Sequence, residues 1–380
     1  MCESAHAYCA AFYNADVKTD ISIRGSGPVG QVLALLLARA RIRVALSAGA
    51  VQATDIRSYA LNAASKRLLT DLRVWPEQAC PVYRMQVFGD QSGQIRFDGA
   101  NQPLAWIVDS ADLLLRLQAA IQYAPDMTRS QDADAAQAGL TVICEGRLSQ
   151  TRAATGVVYE QFPYAQHAVA AQISCEQSHE NTAWQWMSPE QVCALLPRGT
   201  SGVGNSAALV WSVSTDRARE LSGLPAQAFA DQLTQATQGK LGKLSLIGER
   251  ATWPLVLSQA QEWSGRAAWG AWTLAGDAAH SVHPLAGQGL NLGLGDAAEL
   301  AMRLTSKPYF RAYGDPQLLR AYERARKSEA ALLRAATDGL QRMFASRDNR
   351  LQSLRNWGMQ SLNSSALLKA WVLNQASGMN

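Results

Sequence analysis

Between an apolar run that reads as a buried strand, Trp269 to Ala275, and one that reads as an apolar helix, Leu290 to Leu304, stands the stretch Gly276 to Asn291. It carries a carboxylate, Asp277, a proline, Pro284, and two glycines, Gly287 and Gly289, just before the helix. A strand that ends on a carboxylate and turns through proline and glycine into a helix is compatible with few folds. In open α/β sheets, ligands bind outside the carboxyl ends of the strands, which is where Asp277 would stand. Pro284 fixes a turn, and Gly287 and Gly289 remove the side chains that would hold a flat ring away from the main chain. Unpaired amides of the first helical turn, around Gln288, Leu290 and Asn291, then favour negative charge on whatever lies there.

A second turn of related character opens the chain. The run Asp20 to Arg24 reads as a strand, Gly25-Ser26-Gly27-Pro28-Val29-Gly30 as a turn, and the apolar residues through Ala40 as a helix leading to a second strand at Arg43 to Leu46. In this βαβ setting Gly25 permits the tight turn, Gly27 lets the backbone approach a diphosphate, and Gly30 lets the helix pack closely on the strand. Pro28, inside the same turn, is counted with these glycines among the cofactor-binding candidates. The competing reading is an ordinary tight helix–strand contact. The acidic residue that would close the second strand and hold an adenosine ribose is replaced by Ser47, whose hydroxyl makes a weaker bond of the same kind.

Arg57 precedes a helix-like run, Ala60 to Leu72, and the alternating stretches Val82 to Phe88 and Gln94 to Phe97 read as a hairpin. A helix is expected from Ser110 to Tyr123, capped by Ser110, and a buried strand from Leu140 to Cys144 runs into Glu145, Gly146 and Arg152. From Val157 the pattern becomes short strands, and α/β character returns at Ala267. The expected organisation is therefore a Rossmann-like domain in three pieces, 18–78, 109–157 and 263–345, with a β-rich substrate domain, 79–108 and 158–262, inserted into it. A long charged helix, Asp315 to Phe344, closes the unit. Seven of the eleven tryptophans lie between Trp184 and Trp272, which fits an aromatic-lined pocket or, for any single one, ordinary core.

Composition narrows the function. With 380 residues and 48% hydrophobic content the chain can bury one large core or two smaller ones. No apolar run approaches the roughly 18 residues of a membrane span. The first twenty residues do not read as a secretory signal. Six cysteines without a CxxC pair fit reduced thiols in a cytoplasmic setting. His280 and His283 lack acidic or cysteine partners at ligand spacing, so no metal is expected. Basic residues do not interleave with aromatics elsewhere, so nucleic acid is not an expected partner. Of the net charge of +4, a surplus of three lies in the tail 346–380, which suits a membrane surface, a partner groove, or a helix capping the protein's own core.

With these pieces located, the chain resembles the flavin-dependent aromatic-ring hydroxylases, and within them the ubiquinone-biosynthesis hydroxylase family. Three separated motifs carry the resemblance: Gly25, Gly27 and Gly30; Glu145-Gly146 with Ser149 and Arg152; and Gly276-Asp277 through Asn291. It implies a para-hydroxybenzoate-hydroxylase-like fold with FAD laid along the first domain. Asp277 would bind the ribityl chain, Pro284 to Asn291 would line the flavin, and Arg57 would approach the cofactor. Glu145 stands where the family usually has aspartate. The implied chemistry is reduction of FAD by NAD(P)H, oxygen addition to give a flavin C4a-hydroperoxide, and hydroxylation of a polyprenylated phenol or quinol. Arg57, Pro284 and His167 are the catalytic candidates, His167 as an acid–base group facing the substrate or as a satisfied sheet histidine. A membrane surface, on its inner face, and a biosynthetic complex are the implied surroundings. Two other readings remain open: a reductase or halogenase of the same fold, and a prenyl-lipid-binding subunit whose FAD site has decayed, which Ser47 favours and the Asp277 turn opposes.

Overall fold

The computed structural model describes residues 19–47, 55–89, 93–130, 138–199, 204–281 and 289–345. The tail 346–380 and the turn 282–288 lie outside the described residues.

Buried strands rich in Ile, Val and Leu form the first sheet because both of its faces are covered. Its order is Ser264–Ala267, Gly270–Leu274, Leu140–Ile143, Ile21–Arg24, Val44–Ser47, Met127–Ser130. All neighbours are parallel except the edge strand Ser264–Ala267. Register is set at the centre, where Ile21 lies opposite both Val44 and Leu140, and all three are buried. Helix Pro28–Arg39 packs against helices Gly289–Thr305 and Ser110–Gln122, and the long helix Pro316–Ala345 packs against Gly289–Thr305. Parallel strands with crossover helices place the carboxyl ends of Ile21–Arg24, Leu140–Ile143 and Gly270–Leu274 side by side on one edge. Each of the three motifs leaves from one of these ends.

The second sheet has the order His280–Ser281, Leu244–Ala260, Tyr159–Cys175, Ser206–Ser214, Val192–Arg198, Thr182–Met187, Arg84–Phe88, Gln94–Asp98. It is antiparallel apart from the pair Thr182–Met187 with Arg84–Phe88. Strict alternation gives it two different faces. Val169, Ala171, Ile173, Leu209, Trp211 and Val213 pack with Phe229 and Leu233 of helix Ala226–Ala236 in a separate core. The opposite face presents smaller residues, among them Ala168, Ala170, Ala208 and Ser212.

Between the two lies a three-stranded sheet of Ser58–Leu61, Ala105–Asp109 and Cys80–Val82. Ala105–Asp109 is its central strand, antiparallel to both Ser58–Leu61 and Cys80–Val82. Ile107 and Cys80 pack against Ala183 of the large sheet, and Arg198 donates both arms of its guanidinium to Asp109. A bidentate pair of this kind fixes orientation as well as distance.

Most of the clustered tryptophans are core residues. Trp211 and Trp186 are buried under the helices, Trp184 and Trp186 stack with Phe88, and Trp263 and Trp272 belong to the first core. Trp253, opposite Ala168, lies on the other face and is half-buried. One local expectation fails: Ser110 does not cap its helix. Asp109 holds the cap position, while the Ser110 hydroxyl donates to Asp55 at 2.7 Å. Cys80, Cys144, Cys175 and Cys193 are buried free thiols, and burial pushes each thiol above its ordinary pKa. Among the described residues no helix is long and apolar enough to cross a membrane.

Candidate functional site

The three glycines of the first turn have different causes. Gly25 has φ of +111°, and a Cβ there would lie 2.4 Å from the Cys144 carbonyl oxygen. A Cβ on Gly30 would lie 2.1 Å from the Gly25 carbonyl oxygen. Packing alone requires both. Gly27 is different, since a Cβ there would meet nothing within 4 Å. It caps helix Pro28–Arg39 without a side-chain hydrogen bond, and the first turn holds no acidic residue. Open space beside bare helix amides is what a diphosphate needs. Ser47, at the end of the second strand, accepts a hydrogen bond from the Gly25 amide at 3.2 Å.

The middle segment is held by its own side chains. Glu145 accepts from Ser149 Oγ at 2.6 Å, Thr151 Oγ1 at 2.6 Å and the Thr151 amide at 3.0 Å. Burial pushes this carboxyl up, but the bonds from Ser149 and Thr151 outweigh it and its pKa is lowered. Gly146 takes a positive φ of 78° at the turn that follows. Arg152 is buried, stacks 3.4 Å from the Tyr159 ring centre, and donates to the carbonyls of Ala278 at 3.1 Å and Arg147 at 2.8 Å. The middle motif therefore grips the main chain next to Asp277.

The Asp277 turn is built on a buried ion cluster. Asp296, in helix Gly289–Thr305, accepts from the Gly276 amide at 2.9 Å, His280 Nε2 at 2.7 Å and Arg326 Nε at 2.7 Å. The His280 ring stacks on Trp263 with centroids 4.6 Å apart. Gly276 (φ +64°) and Gly293 let this helix close on Val29, the latter's Cβ position being 2.6 Å from Val29 Cγ2. Asp277 itself is exposed to solvent, while the protein around it is close enough to desolvate its carboxylate. That desolvation raises its carboxyl pKa, against the pull of His280, Arg57 and Arg147. Arg57, which pulls on that carboxylate electrostatically, is pinned by both oxygens of Asp55 at 2.7 and 2.6 Å. The Asp55 pair raises the Arg57 pKa further above its ordinary value.

Gly25, Gly27, Pro28, Gly30, Ser47, Arg57, Glu145, Gly146, Arg152, Gly276 and Asp277 thus surround one edge of the parallel sheet. Asn291 works as a tie: its Oδ1 accepts from the Asn62 amide at 3.0 Å and Ser65 Oγ at 2.7 Å, and its Nδ2 donates to the Ala60 carbonyl at 2.8 Å. Gly289 opens the helix and Leu290 packs on the first core. Pro284, Gly287 and Gln288 lie outside the described residues. His167 does not join the cluster. It sits opposite Val213 on the helix-covered face of the large sheet, with Nδ1 3.2 Å from Thr215 Oγ1. Asp296, Asp55 and Tyr159 are missing from the sequence reading. An aspartate inside the apolar run Leu292 to Leu300 was the one signal for the first of them. Among the described residues no group of His, Cys, Asp and Glu is placed to hold a metal ion.

Comparison with known proteins agrees with this geometry. The family described as "FAD binding domain" matches residues 112–337. The chain is 30% identical to the ubiquinone hydroxylase UbiL of Rhodospirillum rubrum, over 96% of this chain and 91% of that protein. It is 28% identical to the 3-demethoxyubiquinol 3-hydroxylase of Escherichia coli, over 95% and 99%. The crystal structure of p-nitrophenol 4-monooxygenase PnpA from Pseudomonas putida superposes with a TM-score of 0.73 at 17% identity, over 95% and 99% of the two chains, and so shares the para-hydroxybenzoate-hydroxylase-like fold. The chain belongs to the FAD-binding domain family and, within it, to the ubiquinone-biosynthesis hydroxylases.

Proposed function

We propose that the protein is an FAD-dependent monooxygenase that hydroxylates the ring of a polyprenylated phenol or quinol in ubiquinone biosynthesis, with NAD(P)H as reductant and molecular oxygen as the oxygen source. Support comes from family membership and from relatives whose names are those of ubiquinone-pathway hydroxylases, aligned along nearly their whole length. The observation that carries it is the open, uncapped Gly27 turn lying on the same sheet edge as the exposed Asp277 turn. That pairing suits a long ligand with a diphosphate at one end and hydroxyls at the other.

When bound, FAD supplies the passage of electrons from NAD(P)H to oxygen that ring hydroxylation needs. The chain's own residues bind and orient. In this reading the amides after Gly27 take the diphosphate, Asp277 accepts ribityl hydroxyls, and Ser47 meets one ribose hydroxyl. Arg57, held by Asp55, offers a fixed positive charge that acts on the Asp277 turn. Glu145, whose oxygens are already bonded to Ser149 and Thr151, supports the segment that holds Arg152. Pro284, Gly287 and Gln288 would line the ring, and His167 has no part. A prenylated substrate resides in membrane, so we place the protein peripherally on the inner, cytoplasmic face, within a biosynthetic complex.

The purified protein should show a flavin spectrum, consume oxygen with NADPH and a prenylphenol, and release a hydroxylated ring. Protein that is colourless and takes up no added FAD would overturn this reading. Bound flavin that oxidises NADPH without hydroxylating any ring would overturn the hydroxylase assignment.

A further inference from the structure

Three hydroxyls join the Asp277 turn to the inserted sheet. Tyr159 is the first residue of strand Tyr159–Cys175, and its Oη lies 2.9 Å from the Asp277 carbonyl oxygen and 2.6 Å from Ser258 Oγ. Ser258, on strand Leu244–Ala260, is in turn 2.7 Å from Ser281 Oγ, which lies 3.0 Å from the Val256 carbonyl oxygen. Both ends of this chain are carbonyls, which only accept. Four gaps therefore have to be filled from three hydroxyl protons, one each from Tyr159, Ser258 and Ser281. Burial holds the Tyr159 hydroxyl above its ordinary pKa, so its proton stays in the chain. One gap is always empty.

The empty gap can sit at either end. If Tyr159 donates to Asp277, the open gap is one of the other three, the one at the Val256 carbonyl included. If Tyr159 donates to Ser258 instead, the Asp277 carbonyl is released. Arg152, stacked 3.4 Å from the Tyr159 ring centre, keeps the ring in place in both settings.

We propose that Tyr159 is a positioning residue for the cofactor: its hydroxyl latches the Asp277 turn to strand Leu244–Ala260. The proposal rests on the reading of Asp277 as the FAD-binding carboxylate. Two substitutions separate the latch from mere packing. Tyr159→Phe keeps the ring on Arg152 and removes the donor to Asp277. Ser258→Ala leaves two protons for two gaps, so Tyr159 stays on Asp277.

The measurement is the FAD dissociation constant by flavin fluorescence quenching, with the visible circular dichroism of the bound flavin and the melting temperature of the apoprotein. Tyr159→Phe should raise the constant about 3- to 10-fold, the size of one lost hydrogen bond, and alter the flavin dichroism. Ser258→Ala should stay within about twofold of wild type. Unchanged affinity and dichroism in Tyr159→Phe, even with a lower melting temperature, would overturn the latch. Equal losses in both variants would do the same. If the wild-type protein takes up no FAD, the cofactor reading itself fails and the latch falls with it.

Discussion

At the scale of single residues, the three glycines near the N-terminus divide into two that serve the fold and one that the fold leaves unexplained. Gly30→Ala places a methyl group 2.1 Å from the Gly25 carbonyl and should destabilise the protein by roughly 1–3 kcal/mol with or without FAD. Gly27→Ala meets no neighbour within 4 Å and should cost the apoprotein less than about 1 kcal/mol, while weakening FAD binding about tenfold or more. Thermal melts and FAD titrations of both variants check this; loss of stability without loss of affinity in Gly27→Ala would contradict it. The glycine pattern was legible in the sequence because a turn is a local object, set by residues a few positions apart. Its division of labour was not, since the carbonyl that makes Gly25 obligatory belongs to Cys144, far along the chain. Ser47 is a related case. Its departure from an acidic residue is plain in the sequence, but its bond to the Gly25 amide appears only when two strands pair.

At the scale of elements, helix Gly289–Thr305 does most to place the site, since it carries both Asp296 and Asn291. Burial alone would push Asp296 up, yet His280 and Arg326 outweigh it and hold its pKa below the ordinary carboxylate value. A lowered folded pKa means that the stabilisation is complete above the unfolded value, about 3.9, and is lost as pH falls through the folded one. Asp296→Asn should therefore flatten the fall in melting temperature on acidification below about pH 4. Asp296→Ala, which leaves Arg326 and His280 without their shared acceptor, should cost about 3–5 kcal/mol near neutral pH. Denaturant melts from pH 3 to pH 7 would show it, and an acid limb unchanged by Asp296→Asn would contradict the assignment. Periodicity located this helix within a residue or so, because a buried apolar run has a clear signature. Partners such as Arg326, Asn62 and Ser65 left no such mark, for each is joined to it across tens to hundreds of residues.

At the scale of the whole molecule, the alternation of α/β pattern with short strands made the interrupted cofactor-binding part legible. The small sheet of Ser58–Leu61, Cys80–Val82 and Ala105–Asp109 was not, because three- to five-residue strands carry too little periodicity to choose their partners. The tryptophans between Trp184 and Trp272 illustrate the same limit: spacing cannot tell which face of a sheet lies under helices. The tail 346–380 carries a basic surplus, which suits a membrane surface, a partner groove or a capping helix. Removing it should reduce binding to anionic liposomes in a flotation assay and leave FAD content unchanged; undiminished binding would rule out that role. The central claim is that FAD lies along the sheet edge from Gly27 to Asp277. Burial raises the Asp277 pKa, and a raised carboxyl stabilises the fold only when protonated, an effect lost as pH rises through the folded value. Ionised at neutral pH, the carboxylate gives the apoprotein no such stabilisation. The most direct test is an FAD titration of wild type and Asp277→Asn, with melting temperatures of both apoproteins. The account predicts that wild type binds one FAD, while Asp277→Asn binds it at least about tenfold more weakly and melts no lower as apoprotein. Equal FAD affinity in the two proteins would contradict it.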